Sequence, residues 1–209
     1  MRKVVLQRTG MISLLVIILL SCSLLPVERT QPAHTDTQTP RPSAIVPAVT
    51  ATPSADFSGE YAGSVKITGS MDFVRQTHLA LALLEAKAPD AYRKVQTYVG
   101  VIMQGEHSGM WAWEEPPRYE VGDRTAFSSV TWYASTIAHD ATHSELYHNG
   151  QEWEGIPAEQ FCNAYQLDVL KRIGAPQFEI DYMAGLKGDH CDMDGDGDCD
   201  WADYEKRDW

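Results

Sequence analysis

The sequence predicts an α+β chain, mostly helical, with a small β-hairpin or sheet and a carboxylate-rich loop near its C-terminal end. Three observations predict it. Apolar residues recur at three- and four-residue spacing in several runs between residues 70 and 174, the spacing of one helical face. Residues 109–127 instead alternate Trp, Tyr and Val with polar residues around two adjacent prolines, a strand signature. Five aspartates then fall at every second position from Asp192 to Asp200. With 209 residues and 44% apolar content, one domain with a sizeable core is expected.

From the N-terminus, Arg2, Lys3 and Arg8 precede an apolar run over 11–20, which is short for a bilayer span and reads as a targeting segment. The run ends Leu19-Leu20-Ser21-Cys22 and resembles the bacterial lipoprotein lipobox, with Leu20 a less usual residue at its position. The resemblance implies a signal over 1–22, cleavage before Cys22, and an exported protein held at the cell surface by a lipidated Cys22. A cleaved secretory signal and a single-pass anchor over 4–25 are the alternatives. Residues 23–58 carry six of the eleven prolines among Thr, Ser, Gln and Ala; this is the composition of a disordered tether.

A head over 59–188 follows. Val65 and Ile67 alternate with polar neighbours as a short strand near Tyr61 would. Ser70 caps a helix with Phe73, Val74, Leu79, Leu81, Leu83 and Leu84 on a broad apolar face, ending before Pro89. Tyr92, Val95, Val99 and Ile102 predict a second helix that Gly105 stops. Residues 109–127 predict a hairpin or two short strands. Ser128 or Ser129 caps a helix to about His148, stopped by Asn149-Gly150. Pro157 opens the next helix and Gly174 closes it ahead of Pro176. Trp111, Trp113 and Trp132 are expected in the core.

The helix ahead of Asn149 carries His139-Asp140-Ala141-Thr142-His143. Histidines four apart on a helix point to one side, so both imidazoles reach a single metal ion. Zinc is the expected ion in an exported protein. The run resembles the zincin metallopeptidase signature, His-Glu-x-x-His, over roughly residues 131–174, with Asp140 standing where that family has Glu. The resemblance implies a zincin-like head, zinc on His139 and His143, and Asp140 as the general base that takes a proton from water. Asp is one methylene shorter, about 1.5 Å less reach, and a misplacement of about 1 Å costs on the order of a hundredfold in rate.

A third ligand is then needed. The helix opened by Pro157 looks like the downstream helix of the glutamate-ligand zincins, and that resemblance implies Glu159 as the ligand that closes the site. Glu152, Glu154 and His148 are rivals. An edge strand from 109–113 or 119–127 would hold extended peptide in that picture. Tyr133, Tyr147 and His107 are candidate oxyanion donors.

Counting from Asp192, carboxylates fall at positions 1, 3, 5, 9 and 12, with glycine at 6 where the chain must turn sharply. This is the pattern of an EF-hand calcium loop. Calcium donors would be Asp192, Asp194, Asp196, the backbone carbonyl of Asp198, Asp200 and Asp203. Asp203 at position 12 and Gly195 at position 4 resemble a dockerin repeat, although dockerins carry two repeats and this chain has one. Cys191 and Cys199 flank and enter the loop and are placed to form a disulfide, while Cys162 reads as a buried thiol.

Residues 181–209 hold ten acidic groups against Lys187, Lys206 and Arg207, so −7 of the net −12 lies there. That balance repels phosphate backbones and excludes nucleic acid as a partner. The expected partners are calcium, a peptide or protein substrate, and the membrane through the lipid anchor, with the chain a monomer. The sequence therefore predicts a calcium-binding, zinc-dependent hydrolase of the metallopeptidase type. The alternative is a non-catalytic calcium-binding surface or adhesion protein with a structural His-Asp pair. A His-Asp hydrolase of the phospholipase sort is a third, but the cysteine pattern of that family is missing.

Overall fold

A computed structural model describes residues 57–199, 201–204 and 206. The signal over 1–22, Cys22, the linker up to residue 56 and Asp200 lie outside the described residues. The elements in order are β1 (Phe57–Ala62), β2 (Val65–Gly69), α1 (Met71–Lys87), α2 (Pro89–Tyr98), β3 (Val101–Gly105), β4 (Gly109–Trp111) and β5 (Arg118–Gly122). They continue as α3 (Asp123–Ala126), α4 (Val130–His148), α5 (Gly155–Ile173), α6 (Gln177–Gly185), a 3-10 turn (Asp189–Cys191) and α7 (Trp201–Tyr204). The protein is α+β and mostly helical, with one small mixed sheet.

The sheet order is β1-β2-β3-β5-β4. β2, β3 and β5 run parallel, and β1 and β4 pair antiparallel at the two edges. The chain leaves β3, makes β4 at the far edge, and returns as β5 between them. β1 reaches back to Phe57, two residues into the stretch read as linker.

The second predicted helix stops earlier than expected. α2 ends at Tyr98, and Ile102 lies in a strand, paired with Ile67 on one side and Tyr119 on the other. Val99 and Ile102 fit a helical spacing, but Val99-Gly100-Val101-Ile102 is a β-branched run broken by glycine, and burial between two parallel partners decides for strand.

One core joins the sheet to the helices. Val65, Ile67, Ile102, Tyr119 and Val121 from the strands pack with Phe73, Leu81 and Leu84 of α1 and with Tyr133, Ile137, Ala138 and Ala141 of α4. α4 is the central helix. It buries residues on most of its faces, including Ala134, Ser135, Ala138, Ala141 and Ser144, whose small side chains let neighbouring backbones approach. Its buried hydroxyls are paired: Ser144 donates to the Tyr98 carbonyl at 2.7 Å, Gln166 on α5 donates to Ser135 at 3.0 Å, and Tyr133 sits 2.8 Å from Thr77 of α1.

The start of α4 is held from two sides. Ser129 accepts from the Trp132 amide at 2.9 Å and donates to Glu179 at 2.7 Å, and Thr131 donates to the other oxygen of Glu179 at 2.7 Å. The buried Glu179 carboxylate thus ties α6 to the N-terminus of α4, where a negative charge also suits the helix dipole. α5 ends as predicted, with Gly174 in the left-handed conformation at φ 77°. Among the described residues no helix is long and apolar enough to cross a membrane.

Candidate metal centre

His139 and His143 project from one face of α4, toward α5. Their Nε2 atoms lie 3.0 Å apart. Glu159, in the first turns of α5, places Oε2 at 3.3 Å from His139 Nε2 and Oε1 at 3.6 Å from His143 Nε2. Ligand atoms on one tetrahedral zinc, with bonds of about 2.0–2.1 Å, sit roughly 3.3 Å from one another. The three observed separations bracket that value.

The rivals of Glu159 stand differently. Glu152 and Glu154 line the same cavity but make no ion pair with the histidines, and His148 is exposed at the end of α4 against Tyr98 and Tyr147. Two further groups were not legible as neighbours. The Cys162 thiol, one turn beyond Glu159 on α5 and fully buried, lies within 4.8 Å of both imidazole nitrogens. His190, from the 3-10 turn, reaches Glu159 Oε2 at 3.6 Å.

His143 is oriented by its other nitrogen. Nδ1 lies 2.7 Å from the Trp153 carbonyl, and donation there leaves Nε2 as the atom offered to a metal. Burial alone disfavours the His143 imidazolium, yet the facing Glu159 carboxylate outweighs it and holds this imidazole well above its usual range. Glu159 shows the mirror image: burial raises it, but the nearby histidines hold it well below the ordinary carboxylate range.

Asp140, flanked by the two histidines in sequence, lies partly open to the cleft. Desolvation pushes its carboxyl up, while the His139 and His143 charges pull it down. The hydroxyl of Tyr119, from β5, lies beside Asp140 but has no well-formed hydrogen bond. His139 Nδ1 and both side-chain amide atoms of Asn163 are likewise buried without a partner. Orphaned buried polar atoms are uncommon in folded proteins, and here several gather around one site.

No protein-family model, curated protein or solved structure matches this chain. The chemistry has to be read from the cavity itself.

That cavity has a volume of about 1140 Å³ and is lined by His139, Asp140, His143, Glu159, Tyr119 and Asn163 among others, slightly above the usual range for small-molecule sites. β4 borders it at the sheet edge through Met110 and Trp111. Trp111 is buried, but Trp113 is 49% exposed at the mouth, so the expectation of a core tryptophan fails there. Tyr133 also departs from expectation: it is fully buried and bonded to Thr77, away from the cavity lining. Tyr147 and His107 do not line the cavity either. Tyr119, Tyr182 and Tyr204 are the tyrosines that line it, and Tyr119 is the one beside Asp140.

The acidic loop wraps around its own carboxylates. Asp192 accepts from the amides of Gly195, Asp196 and Gly197 at 2.6, 3.1 and 3.0 Å, and Gly195 and Gly197 take positive φ of 78° and 94°. Asp192, Asp194 and Asp196 bring carboxylate oxygens within 4.8 Å of one another. Asp203 is buried and accepts from the Met193 and Asp194 amides at 2.7 and 3.2 Å. Asp198 turns a carboxylate oxygen onto the Cys199 amide at 2.8 Å. A disulfide joins Cys191 to Cys199. Tyr204 stands edge-on to Trp111 at 5.2 Å, so the loop closes one side of the cleft.

Proposed function

We propose that the protein is a zinc-dependent hydrolase of the metallopeptidase type, exported, anchored at the cell surface through Cys22, and carrying a calcium-binding loop at residues 192–203. The observation that carries this reading is the convergence of His139, His143 and Glu159 at 3.0–3.6 Å beside the cleft-facing carboxylate of Asp140. The donor set fits zinc: two nitrogens and one carboxylate oxygen at tetrahedral separations, which is the composition of catalytic sites that keep a position open. A zinc ion held there supplies a water acidic enough to ionise near neutral pH and polarises a carbonyl oxygen.

The chain's own groups do the rest. Asp140 accepts the proton of the attacking water and passes it to the leaving nitrogen; desolvation raises its carboxyl above the ordinary carboxylate range, in the direction a proton acceptor needs. In this reading the Tyr119 hydroxyl, buried beside Asp140 without a partner, donates to charge developing on the carbonyl oxygen. β4 is an antiparallel edge strand beside the cavity, and its unpaired edge suits an extended peptide added by backbone pairing. Asp192, Asp194, Asp196, Asp198, Asp200 and Asp203 supply the oxygens for calcium, which steadies the wall that Tyr204 forms.

Metal analysis and peptide cleavage test this together. The expected result is one zinc per chain, and cleavage of a casein-type substrate that Asp140→Asn reduces about 100- to 10,000-fold with zinc retained. A chain that binds no zinc, or that cleaves equally well without Asp140, overturns the reading.

The position of Cys162 favours a second reading. If its thiol joins His139, His143 and Glu159, the coordination closes and the metal is structural, leaving a non-catalytic calcium-binding surface protein. Cobalt substitution separates the two, because a thiolate ligand gives an intense charge-transfer band in the near ultraviolet and a carboxylate does not.

A further inference from the structure

Resting on the peptidase reading, one feature of the cleft identifies what part of a substrate it grips. Asn163 follows Cys162 on α5, one turn beyond Glu159, and is 5% exposed. It lines the cavity, yet neither its side-chain NH2 nor its side-chain carbonyl has a hydrogen-bond partner. Its neighbour one turn on behaves in the ordinary way: Gln166 is similarly buried and donates to Ser135 at 3.0 Å.

A buried carboxamide left without partners destabilises a fold, because each unmet group has lost its water and gained nothing in exchange. Fold stability alone would favour an apolar side chain at this position. The same cavity is lined by Trp132 and Tyr182, whose rings meet at 5.5 Å, and by Thr136 and Leu186.

We propose that Asn163 is the specificity-determining residue of the cleft and that it pairs with an amide group of the substrate, giving one hydrogen bond and accepting one. An amide is the neutral group that answers both halves of a carboxamide at once. It can come from a Gln or Asn side chain, or from the N–H and C=O of one residue in an extended peptide, which point the same way, whereas those of a single trans peptide bond point apart. A site built around such a pair rejects analogues that lack it far more strongly than an apolar pocket rejects a missing methylene. An ester in place of the amide removes the N–H and leaves the Asn163 carbonyl unmet.

The test uses the full chain, zinc-loaded and metal-free, titrated by NMR with blocked dipeptides. One probe carries a peptide bond, a second an ester at the same place, and a third a glutamine side chain next to the ester. Wild type is expected to bind the peptide-bond probe at least tenfold more tightly than the ester, and Asn163→Leu to bind both alike. If only the glutamine probe recovers affinity, the side-chain source is the right one.

Asn163→Leu is also expected to raise the melting temperature of the unliganded protein, since it removes unmet groups rather than a bond; an amide with a merely structural role would lower it. Equal binding of amide and ester probes by wild type overturns the proposal. Failure of zinc to bind overturns the metal reading instead, and leaves amide discrimination measurable in the metal-free protein.

Discussion

Removing the His143 imidazole should separate metal-dependent stability from everything else in the fold. In the metal-free protein His143 Nε2 faces His139 at 3.0 Å and Glu159 at 3.6 Å, and its Nδ1 faces the Trp153 carbonyl at 2.7 Å. His143→Ala removes one of three proposed ligands and the group that fixes the Trp153 loop. A ligand present at a hundred times its dissociation constant stabilises the native state by about 2.7 kcal/mol. For a folded head of roughly 150 residues, at about 2.1 cal/mol/K of unfolding entropy per residue, 1 kcal/mol moves the melting temperature by about 3 °C. Zinc at that excess should therefore raise the wild-type melting temperature by about 8 °C.

The assay is a thermal melt with calcium held saturating, comparing chelator with excess zinc. His143→Ala should melt lower than wild type in chelator and gain no more than about 1–2 °C from zinc. An equal zinc shift in wild type and His143→Ala would place the zinc elsewhere and refute the ligand assignment, as would no shift in wild type.

Three other outcomes follow from the same geometry. Metal-free stability should peak between about pH 4.5 and 6.5, the ordinary carboxylate and imidazole values for these groups. The His143 contribution, from a raised imidazole, is complete below that upper value and lost as pH rises through its folded value. The Glu159 contribution, from a lowered carboxylate, is complete above the lower value and lost as pH falls through its depressed folded value. Melting curves across pH should show Glu159→Gln flattening this maximum. Tyr133→Phe should cost about 1 kcal/mol, or roughly 3 °C, because the Thr77 hydroxyl already donates to the Phe73 carbonyl at 2.9 Å and loses only the Tyr133 hydroxyl as donor; chemical denaturation measures it, and a cost above about 3 kcal/mol would contradict this local account. Calcium should slow amide exchange at Gly195 and Gly197, and Asp192→Ala should abolish the slowing, since both amides donate to Asp192; exchange indifferent to calcium would argue against the loop assignment.

Much of the site was legible because it is local. The four-residue spacing of His139 and His143 places both on one side of a helix, and Ser129 and Gly174 mark the ends of the two helices that carry the centre. Glu159 required a further step, that α5 packs against α4 with its first turn at the histidines. The misses depend on contacts that no local pattern records. Ile102 has helical spacing but is taken by the sheet because parallel neighbours bury it. Tyr133 shares the helix of the histidines, yet it faces α1 and the core while Tyr119, from a strand distant in sequence, reaches the cleft. His190 comes to Glu159 only because the chain returns through the 3-10 turn that Cys191 ties to Cys199. Cys162 was expected to be buried, and it is, but its closeness to the histidines follows from where α4 and α5 approach one another.

X-ray absorption at the zinc edge of the reconstituted full chain tests the central claim most directly. An open centre on His139, His143 and Glu159 predicts two imidazoles and light oxygen scatterers at about 2.0–2.1 Å with no sulfur shell. A sulfur at about 2.3 Å, or zinc bound with no imidazole scattering, would contradict it.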